Sequence, residues 1–152
     1  MGIMDCASYA SIERGYDYYK DKKVINVTKV TNTSYTAEVQ GTTMYEIFID
    51  VEHPRRSKCN CPHANGKRII CKHMIATYFT IFPDEADAFI ALVQRQEMEH
   101  EEYLSKTFIA LDKYLSQCNK KQLKEHLFNL LESGPDWQFD NFVRDYVNVN
   151  DE

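Results

Sequence analysis

Apolar side chains recur at three distinct rhythms along this chain. Tyr9, Ile12, Tyr16 and Tyr19 fall on one helical face, which predicts an amphipathic helix over about 8–21, with Gly15 inside it as a weakening. From Val24 the period changes to two. Val24–Val30, Tyr35–Gln40 and Thr43–Val51 read as strands, rich in β-branched and aromatic residues. Asn32-Thr33 and Gly41-Thr42 are short enough for hairpins, so a three-stranded antiparallel meander is predicted. In its third strand Tyr45, Ile47, Ile49 and Val51 share one face, and Met44, Glu46, Phe48 and Asp50 share the other.

His53-Pro54 ends the sheet, and the segment to Ile70 is a loop containing Pro62, Asn65 and Gly66. Helical rhythm returns from Lys72 to Phe82, with Ile75, Tyr78, Phe79 and Phe82 as its apolar side, and Pro83 breaks it. It restarts at Asp84 through Ala86, Phe89, Ile90 and Val93. After an acidic stretch at Glu97, Glu99, Glu101 and Glu102 it continues through Leu104, Phe108, Leu111 and Leu115. That pattern allows one long helix over 84–117 or two with a break near 97–102. Asn119 with Gln122 resembles a capping box in front of the stripe Leu123, Leu127, Leu130 and Leu131. Gly134-Pro135 stops that helix, and Asp136 can cap a last one carrying Phe139, Phe142, Val143 and Tyr146.

Composition changes this picture little, whereas charge changes it more. At 152 residues and 43% hydrophobic, the chain has enough apolar material for a core. No apolar run approaches the roughly 18 residues of a membrane span. The start of the chain lacks a signal-peptide pattern, and Cys6 stands where a myristoylation signal has Ser or Thr, so a soluble cytoplasmic protein is expected. The net charge of −5 hides a partition. Residues 1–52 carry five basic and eight acidic side chains, and residues 83–152 carry seven basic and fifteen acidic. Residues 53–82 carry six basic side chains, Arg55, Arg56, Lys58, Lys67, Arg68 and Lys72, and no acidic ones. A basic island thus lies between acidic flanks.

Inside that island lie three of the five cysteines. Cys59-x-Cys61 and Cys71-x-His73 are separated by nine residues, a Cys₃His set of the kind zinc takes in tetrahedral structural sites. A strand end followed by a turn with Pro62 can present the first pair. Cys71 just before a helix and His73 in its first turn can close the other side. The helix N-terminus and nearby cations favour thiolate over thiol. Cys-x-Cys alone could be a redox pair or a coincidence, and His63 is a rival imidazole two residues after Cys61. His53, His100 and His126 lie outside the cluster and read as solvent-facing. Cys6 and Cys118 read as buried small hydrophobes.

Cys-x-Cys-x₉-Cys-x-His followed by an apolar helix resembles the SWIM zinc finger. Upstream, Arg14-Gly15, Tyr18-Tyr19 and Val24, then Ala37-x-Val39-x-Gly41 and Tyr45-x-Ile47-x-Ile49, are similar to the helix and strands preceding the metal motif in bacterial SWIM proteins. The similarity covers about residues 9–80. It implies one structural Zn²⁺ at Cys59, Cys61, Cys71 and His73. It also implies binding to DNA or to proteins, since such modules accompany Swi/Snf-class ATPases, Mutator-type transposases and recombination accessory factors. The expected fold is α+β. An N-terminal helix, a three-stranded antiparallel sheet and a zinc-knuckle loop-helix make a SWIM-like zinc-binding domain at 1–82. An acidic all-α region follows at 83–152.

Three functions can be weighed on these residues. Catalysis is the weakest, because four strong ligands leave zinc no open position and three thiolates blunt its Lewis acidity. No phosphate loop, His-Glu-x-x-His or Ser/Cys nucleophile motif occurs, and the glutamates at 97–102 suit a solvated helix face. Nucleic-acid binding, with DNA as the expected partner, suits the basic loop. Three thiolates on Zn²⁺ leave about −1 locally, less than six cations would offset. Arg55, Arg56, Lys58, Lys67 and Arg68 are the candidate phosphate contacts; Lys72, between two ligands, is set aside for the thiolates. A protein–protein adaptor using the helical tail, with a helicase-like ATPase as possible partner, is the alternative. DNA stands slightly ahead because positive charge concentrates at the metal loop.

Overall fold

The computed structural model describes residues 2–147. Helix α1 (Tyr9–Lys20) opens with Ser8, whose hydroxyl accepts a hydrogen bond from the Ser11 backbone N–H. Strands β1 (Val24–Lys29), β2 (Ser34–Gln40) and β3 (Met44–Asp50) follow, and a 3₁₀ turn at Pro54–Arg56 leads to β4 (Lys58–Cys59). All pair antiparallel in the order β1-β2-β3-β4. The sheet therefore has four strands where periodicity predicts three. A two-residue strand has no period to read, and β4 is held by its neighbours: Cys59 pairs with Ile47, and the Asn60 side-chain oxygen accepts from the Glu46 N–H at 3.0 Å. β1 carries a bulge between Ile25 and Thr28, with Asn26 at φ 53°.

One face of the sheet is apolar because of the alternation in β2 and β3. Val39, Ile47 and Ile49 are buried there beneath α2 (Lys72–Ile81). On α2 itself Met74, Ile75 and Phe79 are wholly buried. Gly15 weakens α1 as an isolated helix, but it is where α1 meets α2. A Cβ at Gly15 would stand 2.5 Å from Ile75 Cγ2 and 2.9 Å from the Lys72 carbonyl oxygen, so only glycine permits the approach. Pro83 ends α2 and begins α3 (Pro83–Gln117) as its first residue, a position where its missing N–H costs nothing. Ala86 and Phe89 from the start of α3 complete the core, with the Phe89 ring stacked on Phe79 at 5.8 Å. For that reason the first compact unit extends to Arg95, and the second begins at Gln96.

The second unit holds the rest of α3, then α4 (Lys120–Ser133) and α5 (Asp136–Tyr146). α3 is continuous through 97–102, where good helix formers and no Gly or Pro stand, and Lys106 pairs with Glu102 at 2.6 Å. The capping box before α4 is formed in full by Asn119 and Gln122. At α5 the expectation of Asp136 as cap is corrected. Pro135 holds the cap position with extended backbone, and Asp136 is the first helical residue. Among the described residues of this unit none is buried.

Candidate metal centre

Backbone turns bring the four candidate ligands to one point. Asp50, buried at the end of β3, accepts from the N–H groups of Glu52 and His53, while its own N–H donates to the Ser57 hydroxyl. This closes the turn from β3 to β4. Cys59 sits on the inner side of β4, and Cys61 two residues later begins a turn in which its carbonyl accepts from Ala64 and Asn65 N–H. A parallel bridge between Ala7 and Ile70 fixes the approach to α2. Cys71 is the N-cap of α2, and His73 lies in its first turn.

All four side chains are buried, and their donor atoms lie within 4.8 Å of one another. His73 Nδ1 is 3.7 Å from Cys59 Sγ and 3.9 Å from Cys71 Sγ. A zinc tetrahedron with bonds of 2.0–2.1 Å to nitrogen and 2.3 Å to sulfur has an S···N edge of about 3.6 Å. The donor set and its spacing fit one structural Zn²⁺. Bound there, the metal would take all four side chains as ligands and cross-link β4, the loop and α2. His63, the rival imidazole, is exposed and outside the four-residue group.

The buried thiols of Cys71 and Cys59 shift in opposite directions. The Cys71 thiol is pulled down to about 4, first by the hydrogen bond from Cys59, then by His73 and the backbone N–H groups of Met74 and His73. Cys59 shifts upward, because it supplies that hydrogen bond and is buried. The His73 ring is clamped between two tyrosines that spacing alone does not single out. Tyr45 stacks on it at 4.6 Å, and Tyr18 meets it edge-on at 5.3 Å. Lys23 and Lys72 lie over the Tyr18 ring at 4.5 and 4.4 Å. His73 Nε2 is buried without a hydrogen-bond partner, and a Cβ at Gly41 would come within 3.3 Å of it and 2.6 Å of the Tyr45 ring. Strand alternation gives the signal for Tyr45, which shares the core face with Ile47.

Outside the metal site, Arg55, Arg56, Lys58, Lys67 and Arg68 all line one open cleft of about 660 Å³. Phe48, Thr36, Ser57, Asn60 and Asn65 complete much of its wall, and Glu46 is its acidic lining residue. Lys72 lies over Tyr18 rather than in this cleft. Among the other histidines, exposed His53 stands 3.6 Å from Asp50, and exposed His126 shares a 2.8 Å hydrogen bond with the Tyr114 hydroxyl. Cys6 and Cys118 are half-buried rather than buried; the Cys118 thiol donates to the Tyr114 carbonyl, which is the polar partner a small hydrophobe would lack.

Among the described residues no helix is long and apolar enough to cross a membrane. No curated protein and no solved structure matches the chain with significance. A model of the SWIM zinc finger family, a family of binding modules, matches residues 45–81. That span starts at the tyrosine stacked on His73, takes in all four buried ligands and ends with α2. Through these residues the chain carries a zinc-binding module of the SWIM zinc finger family.

Proposed function

We propose that this chain binds nucleic acid through the cleft formed by Arg55, Arg56, Lys58, Lys67 and Arg68, as an accessory factor in DNA transactions. The convergence of those five cations on one open cleft carries the reading. A Zn²⁺ with three thiolates and one neutral imidazole carries about −1, so the cations exceed what the metal site needs. The zinc-fixed loop presents them with less ordering cost on binding. Contacts of this kind go to phosphates, so binding is modest, salt-dependent and nearly indifferent to sequence.

Fluorescence anisotropy with labelled oligonucleotides at low salt tests this. Five phosphate contacts give a log–log salt slope of up to about −4.5 on duplex DNA. Reversing charge at Arg55 and Arg56 weakens binding to unrelated sequences alike. Absence of binding by zinc-loaded protein contradicts the proposal.

The second reading is a protein adaptor, favoured by the exposed apolar side chains of the helical unit. Phe108, Ile109, Leu127, Phe128, Leu130 and Trp137 are all exposed. In this reading zinc is purely structural and an ATPase of the helicase-like class supplies any motor activity. Polar substitution at Leu127 and Leu130 then abolishes partner capture and leaves oligonucleotide binding unchanged.

A further inference from the structure

Phe48 has no structural duty in the core. Its neighbours Ile47 and Ile49 are 2% and 0% exposed on the helix-covered face of the sheet. The period of two turns Phe48 to the opposite face, where it is half-buried and outside the core cluster. There it pairs across the sheet with Thr36 on β2 and Lys58 on β4, and all three line the basic cleft. An aromatic ring surrounded by Arg and Lys is an arrangement with two functions. The cations hold phosphates, and the ring offers a flat apolar face to a base.

We infer that the cleft takes a single-stranded nucleic acid, with one base stacked on Phe48 and the flanking phosphates held by the surrounding Arg and Lys side chains. This rests on the nucleic-acid reading above and narrows it. In a duplex every base face is covered by its neighbours, so Phe48 has nothing to stack on and only the phosphate contacts remain. In a single strand a base is free to leave its neighbours, and every base has a π-face, so the preference is for strandedness and not for sequence. A cleft of about 660 Å³ suits this. It falls in the roughly 300–1,000 Å³ range of small-molecule sites, room for a nucleotide. Glu46 in the same cleft would repel a phosphate.

The experiment is an anisotropy titration of the full, zinc-loaded chain with one mixed sequence as single-stranded DNA, single-stranded RNA and duplex DNA. The native chain binds the single strands more tightly than the duplex. Phe48→Ala and Phe48→Leu lose about 5- to 150-fold on single strands, the range for one stacked base. On the duplex they change affinity by less than about twofold, since no base face is available there. Phe48→Tyr, which keeps the ring, retains native affinity. Leucine fills the space without stacking, so it serves if alanine loosens the sheet, and zinc content reports folding in each variant. Single-strand binding unaffected by Phe48→Leu, or equal losses on single strands and duplex, overturns the stacking proposal and leaves the phosphate-binding cleft standing. No binding of any oligonucleotide by the native protein overturns both. Loss on DNA but not RNA, or the reverse, supports the proposal and identifies the sugar of its ligand.

Discussion

Ile75 and Phe79 on α2, and Leu127 and Leu130 on α4, belong to the apolar stripes of two helices. The first two are wholly buried, while the second two are 41% and 56% exposed. α2 is the more apolar of the two helices, and the two also differ in what each has to pack against. α2 lies on a sheet whose inner face is apolar, crosses α1 at a glycine, and begins in a residue, Cys71, that belongs to the metal site. α4 has a full capping box and a leucine stripe, and no described residue of its unit is buried. The capping box sets where α4 begins, whereas burial requires a second surface of matching shape. The front unit contains that surface, and the opposite face of its sheet lines the basic cleft. Side chains of the rear unit leave theirs exposed.

The largest effect expected is on removing zinc. Structural zinc contributes on the order of 10–16 kcal/mol of binding free energy in small zinc domains, and binding is coupled to folding. Chelation therefore abolishes amide protection through residues 58–79, read by hydrogen exchange, and leaves exchange in α4 unchanged. If the front amides kept their protection, the contrast between a metal-anchored and an unanchored helix would fail. In the loaded protein the same experiment finds α2 amides slow and α4 amides fast, because few buried contacts resist local opening of α4.

Next comes the core. Phe79→Ala removes a ring that is 0% exposed and packs on Tyr16, Tyr19 and Phe89, so urea unfolding of the front unit loses about 3–5 kcal/mol. Leu130→Ala, at 56% exposure, changes stability by less than about 0.5 kcal/mol. Equal losses in the two variants would mean that the leucine stripe is covered. Gly41→Ala has a smaller, local consequence. Its Cβ pushes on Tyr45, which stacks on His73, and zinc affinity measured by chelator competition falls about 10- to 100-fold, as for other changes in the groups supporting a metal ligand. Smallest is Asn119→Ala, which removes the capping box and costs about 1 kcal/mol of α4 helicity by circular dichroism, with no effect on zinc.

How far these differences could be read in advance depended on distance along the chain. The four ligands stand in two i, i+2 pairs, and local spacing is what a sequence displays; all four are brought together. The faces of Tyr45 and Phe48 follow from strand alternation, and the Asn119–Gln122 box from capping chemistry. Features made by partners distant in sequence were hidden. Gly15 reads as a weak point until α2 is known to cross there. β4 is too short for a period and exists because Cys59 pairs with Ile47. Exposure of the rear leucines is invisible in their spacing, since a stripe is identical whether or not it is covered.

The central claim is that Cys59, Cys61, Cys71 and His73 hold one structural zinc that fixes the fold of the front unit. Elemental analysis of purified protein, made alongside Cys61→Ser and His63→Ala variants, tests it most directly. The account predicts one zinc per chain in the native protein, loss of it in Cys61→Ser, and full retention in His63→Ala. A zinc-free native protein, undiminished zinc in Cys61→Ser, or loss in His63→Ala with the fold intact would contradict it.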